Sequence, residues 1–430
     1  MLAGAGLFCV TRATDIPEEP RPGEAPEAFA LRAASEKAQA GLAVRRSGDP
    51  SVVLASDTVV ALGSRILGKP GSAAEAAEML GALSGRTHEV ITAFAWGAPE
   101  RSIVADRAIA RVTFRALSAQ DIDAYVASGE PMDKAGAYGI QGLAGAFVES
   151  VDGPYDAVVG LPLDGVLRAL EGAGAIPAFG SDAARNLAVL RGRVAAAVQA
   201  VGRSVDEIVL VAVTKTLPAE TVRAAQALGL CDFGENYVQE WREKSAALGD
   251  TRGVKWHFIG HLQSNKAKYL APLVAVVHTL DSAATAEALD RAAARAGRAP
   301  VGSVGRQPGG VPIDVLIQVN VGGEVQKSGI EPADAPALVA AVRAMAHLRL
   351  RGLMTVPPDG PLCATRAHFA TLRRLRDTLA TPETPLPWLS MGMSGDFDQA
   401  IAEGATHIRV GSALFGRRPA KAKTVGGELA

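Results

Sequence analysis

The sequence predicts an α/β protein in two parts: a mixed α/β N-terminal domain followed by a (β/α)8 TIM-type barrel. Three observations carry this expectation. In the second half, eight short apolar runs alternate with mostly helical intervals over about 235 residues, the count and length of a closed barrel. A small, Gly/Pro-rich stretch from Glu171 to Ser181 marks a seam before that pattern starts. The first 170 residues carry their own strand and their own polar loops. The expected division is residues 1–171, a linker at 172–183, the barrel at 184–418 and a flexible polar tail at 419–430.

The N-terminal elements come first. Val52-Val53-Leu54-Ala55 reads as a strand leading into Ser56-Asp57-Thr58-Val59-Val60. An aspartate at a strand end, beside two hydroxyls, is placed to hold Mg²⁺ or to activate a water, although alone it would be a turn aspartate. Gly68-Lys69-Pro70 puts a lysine in a turn, where it can meet phosphate oxygens as a point charge. The loop from Asp133 to Gly142 (DKAGAYGIQG) brings an acid, a base and an amide into one glycine-punctuated stretch. Carboxylates for a metal, lysines for phosphates and an amide for a base edge point to nucleoside triphosphate chemistry. His88 opens a strand and reads as structural.

A leading helix over 184–202 then introduces the barrel. Its strands are expected at 208–214, 230–233, 255–260, 274–279, 313–319, 348–354, 387–391 and 406–411. Helical intervals fall at 219–229, 237–248, 282–297, 333–346, 364–380 and 396–404, and Gly297 to Pro312 reads as a loop insertion. Lys215 ends the first strand, on the same face as Val209, Val211 and Val213. Barrel chemistry sits at the C-terminal ends of the strands, so this amine stands at the barrel mouth. Partly desolvated, it can form a Schiff base with an aldehyde; in isolation it would read as a solvated strand-end lysine. Ser390 to Asp396 (SMGMSGD) opens a helix, and Gly411-Ser412-Ala413 follows the eighth strand. One such turn is a helix cap, whereas two beside a lysine form a phosphate cradle. Lysine plus cradle implies pyridoxal 5′-phosphate (PLP).

Charge and composition narrow the partners. The 430 residues hold 44 basic and 45 acidic side chains, a formal net of −1, which gives no electrostatic case for nucleic acid or a membrane surface. No apolar run reaches the ~18–20 residues of a membrane span. Three scattered cysteines form neither a disulfide framework nor a zinc site, and seven histidines show no ligand spacing. A cytoplasmic protein is expected.

Five motifs of the second half resemble the PLP homeostasis proteins, single-domain relatives of the alanine racemase barrel and hence PLP fold-type III. They are AVTKT (212–216), FGENYVQE (233–240), WHFIGHLQSNK (256–266), SMGMS (390–394) and RVGSALFG (409–416). The resemblance implies Lys215 as the Schiff-base lysine, with Asn236 near the cofactor. Ser390, Ser394 and Gly411 would lie at the phosphate and Arg409 beside the pyridine nitrogen. A guanidinium can only donate there, so the ring stays a poor electron sink. Together with the short polar tail, in which no second domain is legible, this implies a PLP binder or carrier rather than a racemase.

The first half resembles the Maf nucleotide pyrophosphatases, a Maf-like domain. The motifs are DIPE (15–18), ASEKA (34–38), ASDTVV (55–60), ILGKP (66–70), LSGRTH (83–88), the 133–142 loop and VGLPL (159–163), with the dTTP/UTP branch the nearer match. The resemblance implies hydrolysis of a nucleoside triphosphate to monophosphate and pyrophosphate with Mg²⁺ or Mn²⁺. Asp57 would be the general base, Glu18 and Asp57 the metal ligands, Lys37 and Lys69 the phosphate contacts, and Thr58 and Gln141 the selectors of the base. Met1–Leu7 aligns with the helix after the family's opening strand and arginine loop, so the chain as written is expected to be a weak or inactive pyrophosphatase. A bifunctional fusion follows; the alternative makes the barrel the active half alone.

Overall fold

The computed structural model describes residues 1–7, 9–14, 16–44, 52–98, 101–249, 253–302, 311–324 and 328–416. The expected tail at 419–430, the end of the barrel segment at 417–418, Asp15 and positions 303–310 of the insertion lie outside the described residues.

The N-terminal half is built on a sheet of β1 (Val53–Leu62), β2 (Arg65–Leu67), β3 (Thr87–Gly97), β4 (Val104–Phe114) and β5 (Val148–Asp152), in the order β2-β1-β3-β4-β5. Around it lie α1 (Pro26–Ala43), α2 (Ala73–Leu83), α3 (Ala119–Ala127), α4 (Tyr155–Val158) and α5 (Leu163–Gly172). Alternation along β1 sorts its side chains. Val59 and Ala61 pack under Phe29, Ala30, Ala33, Ala34 and Ala38 of α1. Val60 faces the opposite cluster with Met79, Leu80, Phe114 and Tyr138. The alanine row lets α1 lie close to the sheet.

Asp57 departs from its expected strand-end position. It sits inside β1, whose antiparallel register with β3 is unbroken from Val53↔Gly97 to Ala61↔Glu89. Short apolar runs are visible in sequence, but β-pairing carries the strand on through Ser56, Asp57 and Thr58. Because β2 pairs with β1 only from Val60 to Leu62, Val53–Val59 pair only with β3 among the described residues. The other edge of Ser56-Asp57-Thr58 therefore opens to a cleft.

Met1–Leu7 differs from the helix its alignment suggested. It makes a turn, closed by Ala5 N–H donating to Met1 O at 3.0 Å, and Gly6 takes a left-handed φ of 86°. Ala5 is buried with Leu167 and Ala188. The stretch between the halves is likewise packed rather than a free tether. Ala173, Ala175 and Ile176 lie against the cluster of Phe94, Trp96 and Val166, and Ser181 caps α6 (Asp182–Ala200) by accepting from Ala184 N–H at 3.2 Å.

The second half is a closed parallel barrel. Its strands are β6 (Val209–Val213), β7 (Asp232–Glu235), β8 (Lys255–Phe258), β9 (Val274–Leu280), β10 (Ile313–Gln318), β11 (Leu348–Met354), β12 (Trp388–Ser390) and β13 (His407–Val410), and β13 pairs with β6 to close it. The helices are α7 (Ala219–Ala227), α8 (Val238–Leu248), α9 (Ala267–Leu270), α10 (Ala283–Arg295), α11 (Ala335–Arg343), α12 (Leu362–Leu379), α13 (Phe397–Ala402) and α14 (Ser412–Phe415). Outward residues such as Ala212, Phe233, Val277, Ile317 and Leu353 join the helices in one apolar layer. Positions facing the other way hold polar groups such as His257, His278 and Arg409 beside a small apolar cluster of Val276, Leu316 and Met354. No helix among the described residues is long and apolar enough to cross a membrane.

Candidate functional site

The N-terminal cleft has a volume of about 650 Å³, the size of a small-molecule site, and Glu18, Lys37, Asp57, Thr58, Lys69 and Gln141 all line it. Lys37, projecting from α1, places Nζ 2.6 Å from Asp57 Oδ1 and 2.6 Å from Glu18 Oε1, while Lys69 Nζ lies 3.1 Å from Glu18 Oε2. Burial pushes the Asp57 carboxyl up from its ordinary range, against the opposing pull of Lys37. Hydrogen bonding to Lys37 holds Glu18 down. Burial alone would lower Lys37, but the two carboxylates outweigh it and raise it. Asp57 is thus a poorly solvated carboxylate of heightened basicity, paired with the Lys37 ammonium.

Thr58 faces Thr92 directly across β1 and β3, with the hydroxyls 2.8 Å apart. Thr92 Oγ1 donates its own proton to Ala157 O at 2.7 Å, so the proton between the two threonines is that of Thr58. Toward the cleft, Thr58 Oγ1 can then only accept. Ser56 Oγ donates to Gly160 O, which fastens the far wall. His88, buried in β3, pairs with Tyr138 Oη at 2.8 Å; burial drops it to about 4, consistent with a structural role.

Sequence reasoning missed part of this cleft. Glu130 lines it, and so does Ala200, from the helix that leads into the barrel; Lys134, the base of the 133–142 loop, joins them. Ala200 carries no signal at all, since only packing of the two halves brings it there.

Oxygen donors alone suit Mg²⁺ or Mn²⁺. Glu18 and Asp57 converge on one cation position, now taken by the Lys37 ammonium, so this pair fits such an ion. Among the described residues no three His, Cys, Asp or Glu side chains gather into a metal cage, which leaves further coordination to phosphate oxygens and water, as Mg²⁺ commonly has it.

In the barrel, Lys215 lies two residues beyond β6, and the backbone beneath it is pinned. Lys244 Nζ, buried in α8, donates to Thr214 O at 2.8 Å and to Glu235 Oε1 at 2.5 Å, and Thr214 Oγ1 donates to the same carboxylate at 2.7 Å. Thr216 takes a φ of 65°, uncommon for a β-branched residue, with its N–H on Glu240. Glu235 stands within a quoted motif, but nothing in the sequence showed that it and Lys244 would be buried together.

Asn236 follows β7, and its Oδ1 is buried without a hydrogen-bonding partner. Beside it Gly260 leaves no room for a side chain, since a Cβ there would lie 1.9 Å from Asn236 O. The two expected phosphate loops do meet: Ser394 Oγ accepts from Ala413 N–H at 3.2 Å, and Gly411 precedes α14. An unpartnered amide oxygen after β7, the strand paired with the one that leads to Lys215, and two joined small-residue loops fit a phosphorylated aldehyde such as PLP.

Arg409 points inward from β13, donating Nη1 to Ser390 Oγ at 2.7 Å and Nη2 to Thr355 O at 2.9 Å. Burial pulls it down to about 10, so it remains charged at neutral pH. Ser390 therefore sits on Arg409 at the end of β12, directly before the loop that holds Ser394. It also meets His278 Nδ1 at 2.8 Å; His278 Nε2 meets His257 Nδ1 at 2.8 Å; His257 Nε2 meets Asp232 Oδ1 at 3.0 Å. These contacts form one unbroken series from Arg409 through Ser390, His278 and His257 to Asp232. Desolvation keeps His278 well below its usual range.

Comparison with known proteins agrees with this division. Residues 1–173 match the family described as Maf-like protein, and residues 186–419 match the alanine racemase N-terminal domain. The dTTP/UTP pyrophosphatase of Shewanella oneidensis is 54% identical over 165 residues, covering 38% of this chain and 84% of that protein. The pyridoxal phosphate homeostasis protein of Pseudomonas aeruginosa is 44% identical over 239 residues, 55% of this chain and 96% of that protein. Among solved structures, PipY of Synechococcus elongatus with PLP bound is 37% identical, covering 55% of this chain and 100% of that one, at a TM-score of 0.46. The chain is a fusion, and belongs through its first half to the Maf-like proteins and through its second to the family of the alanine racemase N-terminal domain.

Proposed function

We propose that the fusion carries two activities: pyrophosphohydrolysis of dTTP and UTP in the first half, and PLP binding for cofactor homeostasis in the second. The observation that carries the first is the Glu18–Lys37–Asp57 constellation beside Thr58, in a cleft of nucleotide size. Water attacks, the bond joining the α- and β-phosphates breaks, and monophosphate and pyrophosphate leave. Asp57 takes the proton from that water, its basicity raised by burial. Lys37 and Lys69 neutralise phosphate charge. A divalent ion held by Glu18 and Asp57 would supply further charge neutralisation at the phosphates. Thr58, an acceptor only, suits the N3–H donor of thymine or uracil and not the bare N3 of cytosine, and Gln141 stands on the facing loop.

In the barrel, Lys215 would hold the cofactor covalently through its aldehyde, Asn236 would line its ring, and Ser394 and Gly411 would receive its phosphate. Arg409 would donate to the pyridine nitrogen. A nitrogen kept unprotonated in this way leaves the ring a poor electron sink, which suits a PLP binder or carrier rather than a racemase. The three unpaired cysteines fit a reducing compartment, the cytoplasm.

Two variants test the pair of activities in the full chain. Asp57→Asn should abolish pyrophosphate release from dTTP with Mg²⁺ and leave visible cofactor absorbance intact. Lys215→Ala should do the reverse. Hydrolysis that survives Asp57→Asn, or absorbance that survives Lys215→Ala, overturns the corresponding half.

A further inference from the structure

The loop that carries Gln141 is held from two sides. Within its own half, Glu130 Oε2 accepts from Leu143 N–H at 3.0 Å, and Tyr125 Oη, which donates to Glu130 Oε1, accepts from Gly139 N–H at 3.1 Å. The other side belongs to the barrel. Arg366, from α12, donates Nη1 to Gly142 O at 2.6 Å across 224 positions of sequence. Its Nε donates to Glu403 Oε1 at 2.8 Å, so the guanidinium is fixed before it reaches the loop. Both partners of that ion pair are largely buried, at 14% and 10% side-chain exposure, where such a pair is poorly screened by solvent.

The fit is close. A Cβ on Gly145 would lie 2.6 Å from Arg366 Nη1, 2.7 Å from Ile140 O and 2.9 Å from Gln399 Oε1, so only glycine lets the loop approach α12 and α13 this way. Leu362, at the start of α12, packs onto the N-terminal core beside the same loop. Ala200, at the end of α6, forms part of the cleft wall. Gly139, Ile140, Gln141 and Gly142 line the same cleft.

We propose that the barrel half completes the nucleotide site: Arg366 is a positioning residue that fixes the Gly139–Gly142 loop, and with it the base contact of Gln141, while Ala200 bounds the space for the ligand. The proposal rests on the pyrophosphohydrolase reading of the cleft. It makes nucleotide selection in the first half depend on a side chain of the second, and gives the fusion a physical consequence. Arg366 touches no reacting atom, so its loss acts on binding and selectivity rather than on the chemical step.

The test compares full-length wild type with Arg366→Ala, Arg366→Lys and Ala200→Phe. Arg366→Ala should raise KM for dTTP by about tenfold, the loss of one hydrogen bond to a charged group, with kcat changed by less than about threefold. It should narrow the preference for dTTP over GTP and speed amide exchange at Gly139–Leu143. Arg366→Lys, which keeps the charge but not the two-pronged geometry, should recover part of the KM. Ala200→Phe, on an exposed helix end, should raise KM by crowding the cleft. Visible absorbance of the cofactor should be unchanged in all three. An unchanged KM and unchanged exchange in Arg366→Ala overturn the proposal, as does a large fall in kcat at constant KM. If Arg366→Ala does not fold, Ala200→Phe decides: an unaltered KM there overturns the shared site. Should wild type hydrolyse no triphosphate while loop exchange still responds to Arg366→Ala, the enzymatic reading fails and the anchoring of the loop stands.

Discussion

Replacing Lys37 by Met isolates what sets the basicity of Asp57. Lys37 Nζ lies 2.6 Å from Asp57 Oδ1 and is the main influence lowering that carboxyl; burial and the charge of Glu18 both raise it. A hydrogen bond to a charged group contributes ~1.5–3 kcal/mol, and each pKa unit corresponds to ~1.4 kcal/mol. Without the ammonium, the Asp57 carboxyl should rise further, because burial and the charge of Glu18 then act unopposed by it. The assay is kcat/KM for dTTP at fixed Mg²⁺ across about pH 5 to 9, because this ratio reports ionisations of the free enzyme. The acid limb, where activity appears as the base ionises, should move about one to two pH units toward alkaline. Lys37 also meets phosphate, so the plateau should fall as well, but a lost phosphate contact lowers the plateau without moving the limb. Lys37→Arg, which keeps the charge, should return the limb close to its original position. An unmoved limb in Lys37→Met would refute Asp57 as the titrating base.

Three further outcomes follow from the barrel. His278→Leu removes the partner of both the Ser390 hydroxyl and His257 Nδ1; two stranded buried groups should cost about 2–5 kcal/mol in urea unfolding, and a loss below about 1 kcal/mol would contradict the continuous chain. Burial lowers His407 from 6.5 to about 3 and depresses His278 as well. The folded values lie below the unfolded one, so this stability is present above pH ~6.5 and lost as pH falls toward ~3, by roughly 5 kcal/mol for His407 at the acid end. Thermal unfolding followed by circular dichroism should show a steep fall in Tm over that window, flattened in His407→Asn; parallel profiles for the two proteins would refute this cause. Incubation with L-alanine should give negligible D-alanine, and robust racemisation would overturn the reading of the barrel as a PLP binder rather than a racemase.

Much of this protein follows from local chemistry that one chain records. Alternating apolar runs define the barrel because each strand must bury its outward face under a helix, and the eight runs predicted overlap β6 to β13. The residue types at Lys215, the two Gly/Ser turns and Asp57 could be chosen because amine, phosphate cradle and carboxylate are tied to short motifs. Contacts between distant parts of the chain were not legible. Asp57 lies inside β1 rather than at its end because pairing with β3 extends the strand through polar residues. Ser390 turns inward to Arg409 and His278 because barrel closure, not its motif, sets which way a strand residue points. The chain from Arg409 to Asp232 joins residues of β7, β8, β9, β12 and β13, which no sequence period aligns. Arg366 and Gly142 are 224 positions apart and carry no motif in common. Sequence fixes which groups each segment can offer, since backbone period and side-chain chemistry are local. Which groups share a site was decided by tertiary packing, because burial, charge neutralisation and hydrogen-bond direction exist only once the segments meet.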